Sequence, residues 1–176
     1  MKIYLPDTKD SNVISHMNDL MERECLLDRS HLFICLYFFK LLEVLGKDLD
    51  FPYVKELRNN LWELRPGKQR YFYTLREEGF YFLHYFEKRT RHTPPREMKK
   101  ALLLEEDLKT KKFLSFSDWL EENLPQEERE LLEVYVDFMK DLVRDQPREL
   151  LNLPRSVNNS HIDPPLLWAL SLKKKL

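Results

Sequence analysis

The chain has 176 residues, a formal net charge of -1, 43% hydrophobic residues and 34% charged ones. That is enough apolar material for one packed domain with an appendage, and it excludes a chain too polar to bury a core. The near-neutral sum hides an asymmetry: the net is -3 over 1–54, +6 over 55–112, -7 over 113–151 and +3 over 152–176. A basic block beside an acidic one points to an anionic partner for the first and a masking role for the second. The plainer reading is two solvated faces of one globule.

In chain order, Lys2 to Leu5 read as a short edge strand stopped by Pro6. From 11 to 27, Val13, Met17, Leu20 and Met21 recur at helical spacing. Asp28-Arg29-Ser30 breaks the run, and Ser30 caps a second helix that reaches Leu45 and stops at Gly46. The stretch 32–45 is the most apolar in the chain. Lys40 and Glu43 interrupt it, and it falls short of the roughly 20 residues a membrane span needs. It therefore reads as a core helix whose apolar face (Phe33, Leu36, Tyr37, Leu41, Val44, Leu45) requires a sheet, and no membrane partner is expected. Cys25 and Cys35 lie in this helical sequence without CxxC spacing, which indicates buried reduced thiols and no metal site. Reduced thiols and the lack of a signal-peptide pattern point to the cytoplasm.

Residues 61–97, LWELRPGKQRYFYTLREEGFYFLHYFEKRTRHTPPRE, carry the main signal. Three strand-forming runs, at 61–65, 70–75 and 80–86, are separated by Arg65-Pro66-Gly67-Lys68 and Glu77-Glu78-Gly79. Loops this short join antiparallel neighbours, so a three-stranded meander is expected. The fold class that follows is α+β: an N-terminal helical hairpin packed on a small antiparallel sheet, then an α-helical C-terminal extension. Alternation places Leu61, Glu63 and Arg65 on one face of the first strand, and His84 with Phe82 and Phe86 in the last. Thr93 and Pro94 suit the cap and first turn of a helix over 94–108. A short helix from Ser117 to Pro125 and an amphipathic acidic one over 126–144 follow. The second carries a stripe of Leu131, Tyr135, Phe138 and Leu142, with Leu132, Val136, Met139 and Val143 beside it. Beyond Asp145 the prolines end the regularity.

Residues 50–100 resemble the phage-derived branch of the RelE/HigB toxins. The likeness rests on Leu57 to Arg65 with its Glu-Leu-Arg ending, on Arg70 ahead of an aromatic, and on Leu83-His84 leading to Lys88-Arg89 and Thr93-Pro94-Pro95-Arg96-Glu97. It extends less sharply back through the helical hairpin, over about 1–110, within an expected toxin domain of 1–112. His84-Tyr85-Phe86 and Glu87-Lys88-Arg89 depart from the family's usual small residue and lysine pair. The resemblance implies a toxin of a toxin–antitoxin pair, an endoribonuclease (an mRNA interferase) cutting messenger RNA, commonly on the ribosome. The segment 113–176 is similar to a partner antitoxin, with an acidic helix at 126–145 and a shortened helix-turn-helix at 146–172. There Pro147 and Pro154 fall where helices belong, which argues against DNA reading.

Cutting RNA without a metal requires removal of the 2′-hydroxyl proton, positive charge at the pentacoordinate phosphate and a proton for the 5′-oxygen. No cofactor is implied. Arg65, Arg70 and Lys88 are the expected charge-bearing residues, since guanidinium groups grip phosphate bidentately. His84 is the expected proton-transfer residue, because imidazole titrates near neutral pH, and the four form the candidate catalytic set. Lys68, Arg89, Arg91, His92 and Tyr73 are the candidate RNA contacts, the tyrosine by stacking. The expected partners are messenger RNA, the ribosome, and an antitoxin or the chain's own C-terminal segment. The charge split further suggests that the acidic helix restrains the basic surface, either by lying over it or by blocking access to the ribosome. Two other classes fit the sequence: a non-cleaving module that binds RNA or an antitoxin, and a regulator of a toxin–antitoxin operon.

Overall fold

The computed structural model describes residues 1–8, 11–22, 26–49, 53–58, 60–90 and 92–145. The chain begins with strand β1 (Lys2–Pro6), followed by α1 (Asn12–Glu22) and α2 (Leu26–Leu45). Four strands come next: β2 (Val54–Arg58), β3 (Leu61–Leu64), β4 (Gln69–Arg76) and β5 (Gly79–Glu87). Then come α3 (Pro95–Glu106), β6 (Phe113–Ser115), α4 (Phe116–Asn123) and α5 (Gln126–Asp145).

The expected helical hairpin on a small antiparallel sheet is overturned. The described strands form one six-stranded mixed sheet in the order β2-β3-β4-β5-β1-β6. The meander β3-β4-β5 is its centre, but β1 joins β5 in parallel, Ile3 opposite Phe80. β2 adds to β3, and β6 adds to β1 with Leu114 opposite Leu5. Three of the described helices follow the meander instead of preceding it. Gly79 makes the parallel pairing fit. Its φ is +157°, and a Cβ there would stand 2.1 Å from the Lys2 carbonyl oxygen, so only glycine lets β1 approach this closely.

The two faces of the sheet are covered differently. On one, Ile3, Leu5, Tyr71, Tyr73, Phe80 and Phe82 meet Val13 and Met17 of α1 and Leu36, Phe39 and Leu42 of α2. Ser11 begins α1 by accepting from the Ile14 N–H. Cys35 is buried here, and burial, opposed by a hydrogen bond with Tyr71, pushes its thiol up to about 12, so it stays protonated. Cys25 lies outside the described residues. The other face carries Leu61, Phe72, Leu83 and Phe86, covered by Ala101 of α3.

The acidic helix does not lie over the basic surface. Its buried residues Leu132, Tyr135 and Val136 belong to the core on the α1–α2 face, and Tyr135 meets Tyr37 of α2 edge-on at 4.8 Å. The apolar stripe thus finds its cover inside the chain, at Leu132, Tyr135 and Val136. The expected helix-turn-helix remnant at 146–172 lies outside the described residues. Among the described residues no helix is long and apolar enough to cross a membrane.

Candidate nucleic-acid site

On the α3-covered face the alternation of β3 turns Glu63 inward beside Leu61, where it is 1% exposed. A carboxylate at that depth is tolerated only with charged partners. It has them: Arg65 Nε and Arg70 Nε each lie 3.1 Å from Glu63 Oε1. Thr93 Oγ1, in the loop before α3, donates to Glu63 Oε2 at 3.0 Å. That engagement replaces the expected cap, and α3 starts at Pro95 with Pro94 in the capping position. Antiparallel pairing sets Glu63 opposite Phe72 and Arg70 opposite Phe86, which brings the three side chains to one end of the face.

Arg70 is fixed further. Its Nη1 donates to the carbonyls of Gly67 and Gln69 at 2.7 and 2.6 Å, gripping the turn between β3 and β4. Burial lowers its pKa, while Glu63 opposes that shift and Arg65 adds to it. Lys88 completes the cluster at the end of β5, where its N–H donates to the Lys68 carbonyl at 2.9 Å. Lys88 is half-buried. Burial first, then Arg70, lowers its pKa, with Arg65 and Lys55 adding to the shift and Glu63 opposing it. Lys88 therefore gives up its proton more readily than an ordinary lysine. Arg65, Arg70 and Lys88 thus lie together, three cations around one buried carboxylate.

The structure places the other sequence candidates elsewhere. His84 is on the same face but 4% exposed. Its Nε2 lies 2.7 Å from Glu97 Oε2 of α3, and its Nδ1 lies 2.9 Å from Asn12 Nδ2. An amide NH2 donates, so Nδ1 accepts and the proton sits on Nε2, bonded to Glu97. Burial lowers the His84 pKa, and Glu97 only partly restores it. Burial pushes Glu97 up, but the His84 hydrogen bond and Lys100 more than offset this, and its pKa ends lowered. Both imidazole nitrogens are occupied beneath α3, so His84 holds elements together where the sequence suggested proton transfer to RNA. Tyr73 lies on the opposite face, 2% exposed, stacked on Phe82 at 5.5 Å, and offers no ring to a base. Lys68, Arg89 and His92 are exposed, with Arg89 paired to Glu87 at 3.3 Å. Arg91 lies outside the described residues.

Sequence reasoning missed Glu63, Thr93, Glu97 and Asn12. Asn12 mimics a strand partner: its Oδ1 accepts from the Tyr85 N–H at 3.0 Å and its Nδ2 donates to the Tyr85 carbonyl at 2.7 Å. It thereby satisfies β5 beyond its pairing with β1 at Tyr4 opposite Tyr81. The available signal for Glu63 was its inward register between Leu61 and Arg65, which demanded a counter-charge. Among the described residues no group of His, Cys, Asp and Glu is arranged to hold a metal.

Residues 27–104 match the family described as phage-derived protein Gp49-like (DUF891). That family is one of RelE/HigB-like toxins associated with toxin–antitoxin systems. The match spans α2 through most of α3 and contains every residue of the basic cluster. No curated protein matches the chain.

Proposed function

We propose, from the match to the Gp49-like family and the cluster it contains, that this protein is a toxin-like endoribonuclease of a toxin–antitoxin system acting on messenger RNA. The observation that carries the reading is the gathering of Arg65, Arg70 and Lys88 around Glu63. In this scheme the 2′-hydroxyl attacks the adjacent phosphorus and the bond to the 5′-oxygen breaks, leaving a cyclic phosphate and a 5′-hydroxyl. Arg65 and Arg70 hold charge against the pentacoordinate phosphate. Lys88, protonated yet with a lowered pKa, donates the proton to the leaving 5′-oxygen. His92, exposed in the loop before α3, is the candidate acceptor of the 2′-hydroxyl proton. Lys68, Arg89 and Arg91 contact flanking phosphates without reading bases. The ribosome is the proposed setting, the cytoplasm the proposed location, and an antitoxin the proposed protein partner.

A restraint by the C-terminal half does not come from α5 lying over the basic surface, since its described core residues face α2. A second reading has its own observation. With His84 sealed beneath α3, the cluster resembles a binding site as much as a cutting one. On that reading the protein binds RNA or an antitoxin and cleaves nothing. The test is a reporter messenger RNA in a cell-free translation system, comparing the full chain with Arg65→Ala and Lys88→Ala. Cleavage lost in both variants supports the enzyme. Binding without cleavage at any protein concentration, with ribosomes supplied, selects the second reading. Neither binding nor cleavage refutes both.

A further inference from the structure

Glu63 stands out among the buried charges because it touches two groups of the proposed site and one group outside it. Its Oε1 is 3.1 Å from both Arg65 Nε and Arg70 Nε, and its Oε2 accepts from Thr93. The carboxylate is 1% exposed, so RNA does not reach it. A lone buried anion in this position would be costly, and two arginines without it would repel each other. Both ion pairs are closest at Nε, the inner nitrogen of the guanidinium, and are charge contacts, not directed hydrogen bonds. The carboxylate therefore holds the two guanidinium groups beside each other by charge, which sets where positive charge is presented to a phosphate.

We infer that Glu63 is a positioning residue of the proposed phosphate site: its charge holds the Arg65 and Arg70 guanidinium groups side by side and, through Thr93, ties that placement to the loop leading into α3. The inference rests on the ribonuclease reading for its catalytic consequence, but its geometric content is independent of it. Glu63 also counters the cations facing Lys88, namely Arg70, Arg65 and Lys55. Loss of its charge therefore lowers the Lys88 pKa further. If protonated Lys88 is the acid, activity then falls at lower pH on the alkaline side.

The test compares full-length wild type, Glu63→Gln and Thr93→Val by single-turnover cleavage of a short RNA on ribosomes across pH, together with thermal melting and hydrogen exchange of the arginine Nε–H groups by NMR. Glu63→Gln keeps the shape and removes the charge. The expected result is a cleavage rate about 30- to 100-fold lower with KM within about threefold, an alkaline limb displaced to lower pH, and faster Nε–H exchange at both arginines. A folded Glu63→Gln protein that cleaves within about threefold of wild type, with an unmoved alkaline limb, overturns the inference. If Glu63→Gln does not fold, Thr93→Val decides. A drop of about three- to tenfold at unchanged KM supports the tie through Thr93, and an unchanged rate refutes it. If wild type cuts no RNA, the ribonuclease reading fails separately. The Nε–H exchange then decides whether Glu63 holds the two groups in their buried places, with equal protection in wild type and variant counting against it.

Discussion

His84 Nε2 lies 2.7 Å from Glu97 Oε2, with the two side chains 5% and 8% exposed. The pair joins β5 to α3, and Asn12 on the other imidazole nitrogen joins both to α1. Its direction with pH follows from burial. The His84 pKa lies below its ordinary 6.5, so the unfolded chain takes up a proton that the native imidazole refuses. Stability from His84 is therefore present above about pH 6.5 and is lost as pH falls toward the depressed native value. The Glu97 pKa is also lowered, from 4.5, so its contribution is present above that value and lost as pH falls further. Both act in one direction. Thermal melting is expected to drop steadily on acidification from neutral pH, and His84→Gln should flatten the first part of that decline. A His84→Gln curve parallel to wild type between about pH 7 and 5 would remove His84 from the account.

Asn12 offers a sharper probe of the same network. In Asn12→Asp the Tyr85 N–H keeps its acceptor, but the second oxygen now faces His84 Nδ1 and the Tyr85 carbonyl, where an NH2 donated to both. A carboxylate beside Nδ1 favours the protonated imidazole. The His84 pKa, followed by NMR titration, is expected to rise in this variant. Asn12→Ala removes the strand-like pairing and should cost about 2 kcal/mol in urea unfolding.

Helix and strand positions in the middle of the chain were legible because their signals are local. The meander expected at 61–65, 70–75 and 80–86 is found at Leu61–Leu64, Gln69–Arg76 and Gly79–Glu87. The aromatic alternation and the two turns suffice for that. The sheet as a whole was not legible. Pairing Ile3 with Phe80 is a long-range event that no window of sequence displays, and β6 is only three residues, Phe113–Ser115. β2, Val-Lys-Glu-Leu-Arg, carries too little β-branched or aromatic character to announce itself. In the candidate site the cations were legible by type, since Arg65, Arg70 and Lys88 stand in recognisable motifs. Their organising carboxylate was not, because a glutamate in a strand reads as solvent-facing until its register is known. His84 misled for the converse reason: an imidazole signals chemistry in any sequence, whereas the partners that occupy it come from α1 and α3.

The sequence 113–136 is expected to matter for folding as well as for any regulatory role. Phe116 is fully buried and packs edge-on against Phe39 of α2 at 5.3 Å, and Trp119 is 2% exposed. β6 also occupies the edge of β1. Phe116→Ala is expected to destabilise the full chain by about 3–5 kcal/mol in chemical unfolding. Leu103→Ala, an exposed position on α3, should fall within about 0.5 kcal/mol of wild type. A Phe116→Ala cost as small as that of Leu103→Ala would mean that this segment is an appendage after all.

The proposed cutting site makes a prediction that separates its cations from its aromatics. Arg65→Ala and Lys88→Ala each remove positive charge next to the phosphate and should lower messenger RNA cleavage by about 10²- to 10³-fold. Arg70→Ala should do the same and also loosen the turn at 66–69, since Arg70 holds the Gly67 and Gln69 carbonyls. Its melting temperature is therefore expected to fall where that of Lys88→Ala does not. Lys68→Ala and Arg89→Ala, both exposed, should change mainly the salt dependence of RNA binding. Tyr73→Phe leaves the core stack on Phe82 in place and should leave cleavage unchanged, because the ring faces the helices and not the basic end of the sheet. The measurement is cleavage rate and melting temperature for the set in parallel. Loss of cleavage in Tyr73→Phe with full activity in Lys88→Ala would move the site to the other face of the sheet and refute the assignment.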